Sequence, residues 1–195
     1  QATSEQILQK LISRFGAEKG TVIIQDPATG KILALANKPG FNPNEYSKYP
    51  VGNFLNSAVQ YVYEPGSVFK PFTMAIGIQE GDFTPETTYF DKGFITLNGK
   101  TIHNWDKKAH GKITMTNVIE QSVNTGAIYA EGQIGHETFA TYLARLGFGE
   151  KTNIDLPDEV VGSLKNLTRK EARAIDFATA SFGQGTSVTP VQLIT

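Results

Sequence analysis

The chain is predicted to be α+β: an N-terminal helix and a β-hairpin, followed by a long, mainly helical remainder. Two observations carry the hairpin. Thr21–Asp26 and Lys31–Ala36 are short apolar runs, and Asp26-Pro-Ala-Thr-Gly30 between them has turn chemistry, with Pro early and Gly late. Both runs are apolar on both faces, as in a sheet covered on each side. The third observation is the helical recurrence of apolar residues beyond residue 66, punctuated by Gly81, Gly135 and Gly147.

The elements follow in order. Ser4 to Phe15 reads as an amphipathic helix, with Ile7, Leu8, Leu11, Ile12 and Phe15 on one stripe and Gly16 ending it. Pro39 to Pro50 is a loop rich in Pro, Asn and Gly, and residues 53–63 lead without firm periodicity to Pro65-Gly66. The next helix carries Val68, Phe72, Ala75 and Ile76 at helical spacing and closes at Gly81. Residues 81–111 are polar, with weak strand signals at Thr88–Phe90 and Phe94–Leu97, and Trp105 is expected in core or rim packing.

Thr114 is placed as the N-cap of Met115–Gln121, Ser122-Val-Asn-Thr-Gly126 interrupts, and a further helix runs to Gly135. Glu137 to Leu146 repeats the pattern with Phe139, Tyr142, Leu143 and Leu146. Lys151–Leu164 is loop, Thr168 is expected to cap a helix from Arg169 towards Ala180, and Thr189-Pro190 opens a last one. The whole is read as one partial domain, with residues 1–66 giving helix, hairpin and approach loop and residues 67–195 the helical part. The sequence starts without Met and stops less than two turns into its last helix, so truncation from a longer protein is expected.

Composition bounds the function. A hydrophobic fraction of 39% fits a chain with a real core, and a net charge of −1 with interspersed signs offers no basic stripe for nucleic acid. No apolar run approaches a membrane span, and no signal peptide begins at Gln1. There is no Cys for disulfides or thiolate metal sites, and His103, His110 and His136 lack metal-ligand spacing.

Ser67 and Lys70 stand three apart at a helix start, so both side chains share one face at the positive end of the helix dipole. A serine hydroxyl needs a neighbouring base to become a nucleophile. Lysine serves only when neutral, and burial by Val68, Phe69 and Phe72 would lower its pKa. With nine Ser and fourteen Lys, chance alone gives roughly 0.7 such pairs, so the pair acquires meaning from its company. Ser122-Val-Asn124, on a break between helices, is that company.

The motifs then fall into a pattern. Ser67-x-x-Lys70 and Ser122-x-Asn124 match two of the three signatures shared by class A β-lactamases and penicillin-binding proteins. The flanks resemble the transpeptidase domain of class B penicillin-binding proteins: Ile24–Ala36, Phe41-Asn-Pro-Asn44, Tyr63–Phe72, His110–Thr114, Leu146-Gly-Phe-Gly149, Thr152–Pro157 and Ser181–Pro190. The resemblance implies the penicillin-binding and serine β-lactamase-like fold, incomplete here, and D,D-transpeptidation of peptidoglycan stem peptides ending in D-Ala-D-Ala, inhibited by β-lactams. It implies that Ser67 is acylated and Lys70 is its base. Ser122 would relay a proton towards the leaving group, and Asn124 would hold Lys70 and the substrate backbone. Gly66, Ser122 and Asn124 would be the substrate contacts, and the resemblance implies no metal or organic cofactor.

The resemblance also implies a membrane-anchored parent on the outer face of the bacterial cytoplasmic membrane, serving division or cell shape and working beside a polymerising glycosyltransferase. Two departures stand out. Asn153 and Asp158 replace glycines of the family's loop, and both residue types tolerate left-handed backbone. No Lys-Thr-Gly or Lys-Ser-Gly occurs, so a C-terminal segment carrying it is expected to be needed, and the chain alone is expected to be a poor catalyst. A serine β-lactamase with Glu159 as deacylating base, and a non-catalytic wall-peptide-binding module, are the rival readings; no G-x-S-x-G elbow supports a Ser-His-Asp hydrolase.

Overall fold

A computed structural model describes residues 1–195, which form two compact units. The first comprises residues 1–63, 150–162 and 188–195. Helix α1 (Ala2–Phe15) ends on Gly16, whose φ of 61° lets the chain turn left-handed. Strands β1 (Gly20–Gln25) and β2 (Ile32–Lys38) pair antiparallel with Val22 opposite Ala36 and Ile23 opposite Leu35. In the turn, the Asp26 carboxylate accepts bonds from the Ala28 N–H at 2.9 Å and the Thr29 hydroxyl at 2.7 Å.

The hairpin is covered on both faces along its middle, as its two-sided apolar sequence requires. One face carries Gly20, Ala34 and Ala36 and meets α1; a Cβ at Gly20 would lie 2.8 Å from Leu8 Cδ1 and 3.0 Å from Ile12 Cδ1. The other face carries Ile23 and Leu35, packed with Ala58 and Val59 of α2 (Ser57–Gln60), Val191 of α9 (Pro190–Ile194), and Ile154 and Leu156. Cover fails near the turn, where Ile24 and Leu33 are exposed.

The single stripe expected on α1 separates into two lines. The close approach of Gly20 draws in Ser4, Leu8 and Ile12, spaced four apart, while Ile7, Leu11 and Phe15 face outward. In residues 150–162, Asn153 and Asp158 hold φ of 59° and 57°, the left-handed backbone expected of them. The Glu159 carboxylate, buried, accepts from the Thr152 N–H and hydroxyl at 2.8 and 2.7 Å and from the Asn153 N–H at 3.2 Å. Both its oxygens are thus engaged in shaping their own loop, which removes the feature on which the lactamase reading rested.

The second unit comprises residues 64–149 and 163–187. A 3₁₀ turn (Gly66–Phe69) leads into α3 (Lys70–Glu80), closed by Gly81 at φ 79°. The expected inward face of α3 is rotated: Val68 and Ala75 are exposed, while Phe69, Thr73, Met74, Ile76 and Gly77 are buried. Phe83 sets this rotation, since its ring lies where a Cβ on Gly77 would be, at 2.1 Å.

Strand β3 (Thr88–Asp91) pairs with β6 (Gly111–Thr114), and β4 (Phe94–Leu97) with β5 (Lys100–His103), all antiparallel. Strands β5 and β6 escape sequence reading because each is four residues long and mostly polar. Thr114 caps α4 (Met115–Glu120) in a reciprocal box with Asn117. Helices α5 (Asn124–Ile134) and α6 (His136–Arg145) follow, with Phe139 and Leu143 fully buried but Leu146 half exposed. Ala127 and Ile128 pack with Ala178 and Phe182, roofed by Ile95, Leu97 and Ile102.

Thr168 does not cap the helix expected at Arg169. It ends a four-residue helix, α7 (Lys165–Thr168), and α8 (Ala174–Ala180) begins after Arg173. The reason is local: Asp176 at the third helical position accepts the Arg173 N–H at 2.9 Å and the Arg169 guanidinium at 2.5 Å, so the start shifts to the residue this carboxylate can reach.

Candidate active site

Ser67 lies on the 3₁₀ turn, where residues three apart eclipse one another, and the Lys70 N–H donates back to the Ser67 carbonyl. Ser67 is exposed and Lys70 is 2% exposed. The turn is pinned from the far side of the unit. Gly66 N–H donates to Gly183 O at 2.9 Å, and a Cβ on Gly183 would fall 2.2 Å from Gly66 O. Thr73 adds a bond from its hydroxyl to Ser181 O at 2.8 Å. Phe69, Phe72 and Phe148 pack in tilted and edge-on contacts at centroid distances of 5.0–5.3 Å.

The Lys70 ammonium donates to Ser122 O at 2.6 Å, Ser122 Oγ at 3.0 Å and Asn124 Oδ1 at 2.9 Å. Residues more than fifty positions apart therefore meet at one nitrogen. No hydrogen bond joins Lys70 Nζ to Ser67 Oγ; the hydroxyl is free and solvent-facing while the amine is held by the bend. Desolvation by its surroundings lowers the Lys70 pKa to about 8. Val68 adds nothing to this, being 59% exposed; Phe69 is fully buried and Phe72 half-buried.

A stability consequence follows. The amine's pKa is about 8 in the folded chain against 10.5 ordinarily, so between these values the unfolded chain holds more protons. This group therefore makes the folded form more stable as pH rises from 8 towards 10.5. Titration of the Lys70 Cε resonance should give a midpoint near 8, and a midpoint above 10 would show that the amine is solvated.

The bend itself is held by residues that motif spacing does not reveal. Ser122 sits at φ 54°. Asn124 Nδ2 donates to His103 O at 3.1 Å. Behind it, Asp91 is fully buried and accepts four bonds: Thr125 Oγ1 at 2.7 Å, Gly93 N–H at 2.8 Å, Asn104 Nδ2 at 2.8 Å and His110 N–H at 2.9 Å. Burial opposes the charged carboxylate, but these four bonds outweigh it and hold the pKa below the usual range. Asn104 Oδ1 in turn accepts the Thr125 N–H at 3.1 Å. Trp105 stands at the rim, 72% exposed, its Nε1 donating to Gln121 O at 3.1 Å.

All four residues expected to carry chemistry thus lie in one unit, and three of them share a set of bonds. Asp91, Asn104, Thr125 and Gly183 were missed as site residues. The only signals were position inside marked stretches, Gly183 in Ser181-Phe-Gly-Gln-Gly185 and Thr125 in Ser122-Val-Asn-Thr-Gly126; Asp91 and Asn104 carry no spacing that separates them from loop polarity.

Comparison with known proteins fits this arrangement. The penicillin binding protein transpeptidase domain matches residues 20–195. A peptidoglycan D,D-transpeptidase FtsI homolog of Mesostigma viride is 35% identical over 193 residues, which is 93% of this chain and 32% of that protein. Stage V sporulation protein D of Bacillus subtilis is 32% identical, covering 100% of this chain and 30% of its own length. The chain spans about a third of the length of the curated relatives it matches. The crystal structure of a peptidoglycan glycosyltransferase from Burkholderia ambifaria superposes with a TM-score of 0.82 at 29% identity, over 95% of this chain and 54% of that one. With two motifs converging on one buried amine and a family match over nearly its whole length, the chain belongs to the penicillin-binding protein transpeptidase family, on the class B side that its flanking motifs resemble.

Proposed function

We propose that the chain carries the serine acyl-transfer site of a peptidoglycan D,D-transpeptidase, acting on stem peptides that end in D-Ala-D-Ala and inhibited by β-lactams. The observation that carries this is the Lys70 amine: buried, lowered to about 8, and bonded to Ser122 and Asn124. Neutral Lys70 takes the Ser67 proton as Ser67 Oγ attacks the penultimate D-Ala carbonyl. The carbon–nitrogen bond to the terminal D-Ala breaks, and Ser122 Oγ passes a proton to the departing amine. An acceptor amine from a second stem peptide then attacks the ester, forming the cross-link and returning the proton to Ser67. Asn124, held by His103 O, aligns Lys70 and the substrate backbone, and Gly66 borders the acyl group.

One wall of such a cleft is supplied elsewhere. The 195 residues hold no Lys-Thr-Gly or Lys-Ser-Gly, and we propose that a segment bearing it binds the substrate carboxylate and gives one oxyanion donor. Loss of a single oxyanion donor lowers rates by about 10²–10³, so the chain without that segment should label slowly. The same proposal places the parent protein at the outer face of the cytoplasmic membrane, beside a polymerising glycosyltransferase. The relatives named peptidoglycan D,D-transpeptidases, the FtsI homolog above and MrdA of Escherichia coli, support the peptidoglycan substrate. No helix here is long and apolar enough to cross a membrane.

The test is a fluorescent penicillin applied to the chain joined to its C-terminal continuation. One adduct per molecule should form on Ser67, at a rate that climbs with pH and levels off above about 8. Ser67→Ala should abolish it. An adduct that persists in Ser67→Ala would overturn the assignment.

A further inference from the structure

A second cavity, of about 670 Å³, lies in the helical unit between the β4–β5 hairpin and α5, and shares none of Ser67, Lys70, Ser122 and Asn124. Ile95, Leu97 and Ile128 give it apolar walls, and Phe94, half exposed, stands at its mouth. Its volume falls in the range of small-molecule sites, about 300–1,000 Å³.

The informative side chain is Glu131. It is 2% exposed, and its Oε1 pairs with His136 Nδ1 at 2.7 Å. No group of the chain donates to its Oε2. Lys92 also lines the cavity but makes no ion pair with Glu131. His136, its ring stacked on Phe177 at a centroid distance of 4.2 Å, bonds Oε1 alone. Oε2 opens onto the cavity rather than being sealed in the core, and a carboxylate in so confined a site gains from a cation that brings its own hydrogen-bond donors. Two side chains are too few for a metal ion, and no cluster of three ligating groups exists here.

We propose that this cavity binds an organic ammonium carried on an aliphatic or aromatic body, the cation meeting Glu131 Oε2 and the body lying against Ile95, Leu97 and Ile128. Glu131 Oε2 presents an acceptor, which an ionised carboxylate or phosphate, itself only an acceptor, cannot satisfy. The apolar walls favour a hydrophobic body over a small hydrated cation.

The test uses 2-phenylethylammonium and its neutral counterpart 2-phenylethanol, followed by methyl resonances of Ile95, Leu97 and Ile128. The ammonium should shift these resonances saturably at millimolar concentration, and the alcohol should bind about tenfold more weakly or worse. Glu131→Gln should weaken the ammonium by a similar factor and leave the alcohol unchanged. Equal affinity for the two probes in the unmodified chain would overturn the proposal, as would silence of the three methyls. The probe comparison needs no variant, so it decides even if Glu131→Gln folds poorly. Neither readout involves acylation of Ser67, so failure here leaves the proposed reaction untouched.

Discussion

Asp91→Ala should lower the stability of the helical unit by on the order of 3–5 kcal/mol, the largest loss expected from any single truncation behind the bend. The side chain is fully buried and satisfies four donors: two backbone N–H groups, the Asn104 amide and the Thr125 hydroxyl. Each buried donor left unpaired costs about 1–3 kcal/mol, and water entering the vacated space recovers part of the total. Thr125 and Asn104 are bonded to each other and adjoin Asn124, so the loss should also loosen the grip on Lys70. Urea denaturation gives the first quantity, and the Lys70 Cε titration the second, with its midpoint moving up towards 10.5 as water reaches the amine. Asp91→Asn should fall between, because an amide can accept only half of these bonds. A change below about 1 kcal/mol for Asp91→Ala would mean that the network is solvated.

Gly183→Ala should be comparably severe and act through Ser67. The added carbon would lie 2.2 Å from Gly66 O, 2.7 Å from Gly66 N and 2.8 Å from Phe69 Cβ, all on the turn that presents the hydroxyl. Backbone cannot yield as a flexible side chain does, and φ of 77° adds about 1–2 kcal/mol of strain for a residue with a Cβ. We expect a stability loss of roughly 3 kcal/mol or more and near-complete loss of penicillin labelling at Ser67. Gly66→Ala is the matched control for stability alone, since Gly66 itself borders the proposed acyl group. Its φ of 64° is also left-handed, but a Cβ there meets nothing within 4 Å, so only the strain of about 1–2 kcal/mol should appear. If Gly183→Ala melts like Gly66→Ala, the two backbones are not in contact.

Local chemistry made much of this protein readable in advance. Asp26 and Gly30 announce the hairpin, Gly16, Gly81 and Gly135 stop helices, and Thr114 and Thr189 start them. What failed were facings and long-range partners. The sequence of α1 offers two apolar lines of similar strength, and only the absence of a side chain at Gly20 decides which one turns inward. On α3, Phe83 decides in the same manner by filling the space beside Gly77. Strands β5 and β6 are defined by partners rather than by their own residues. At the site, the meeting of Lys70 with Ser122 and Asn124 was legible from two short motifs, while Ser67 makes no bond to them. Asp91 and Asn104 were not legible, since their importance comes from being buried together, and burial of a polar residue leaves no periodic trace.

Ser122 holds its hydroxyl on a backbone that curls the wrong way for an L-amino acid, at φ 54°. Threonine would keep the oxygen but bring a branched carbon that this twist penalises, and glycine would relax the twist but discard the oxygen. Serine is therefore the alcohol that this position takes at the least strain, and any other side chain here trades the hydroxyl against the backbone.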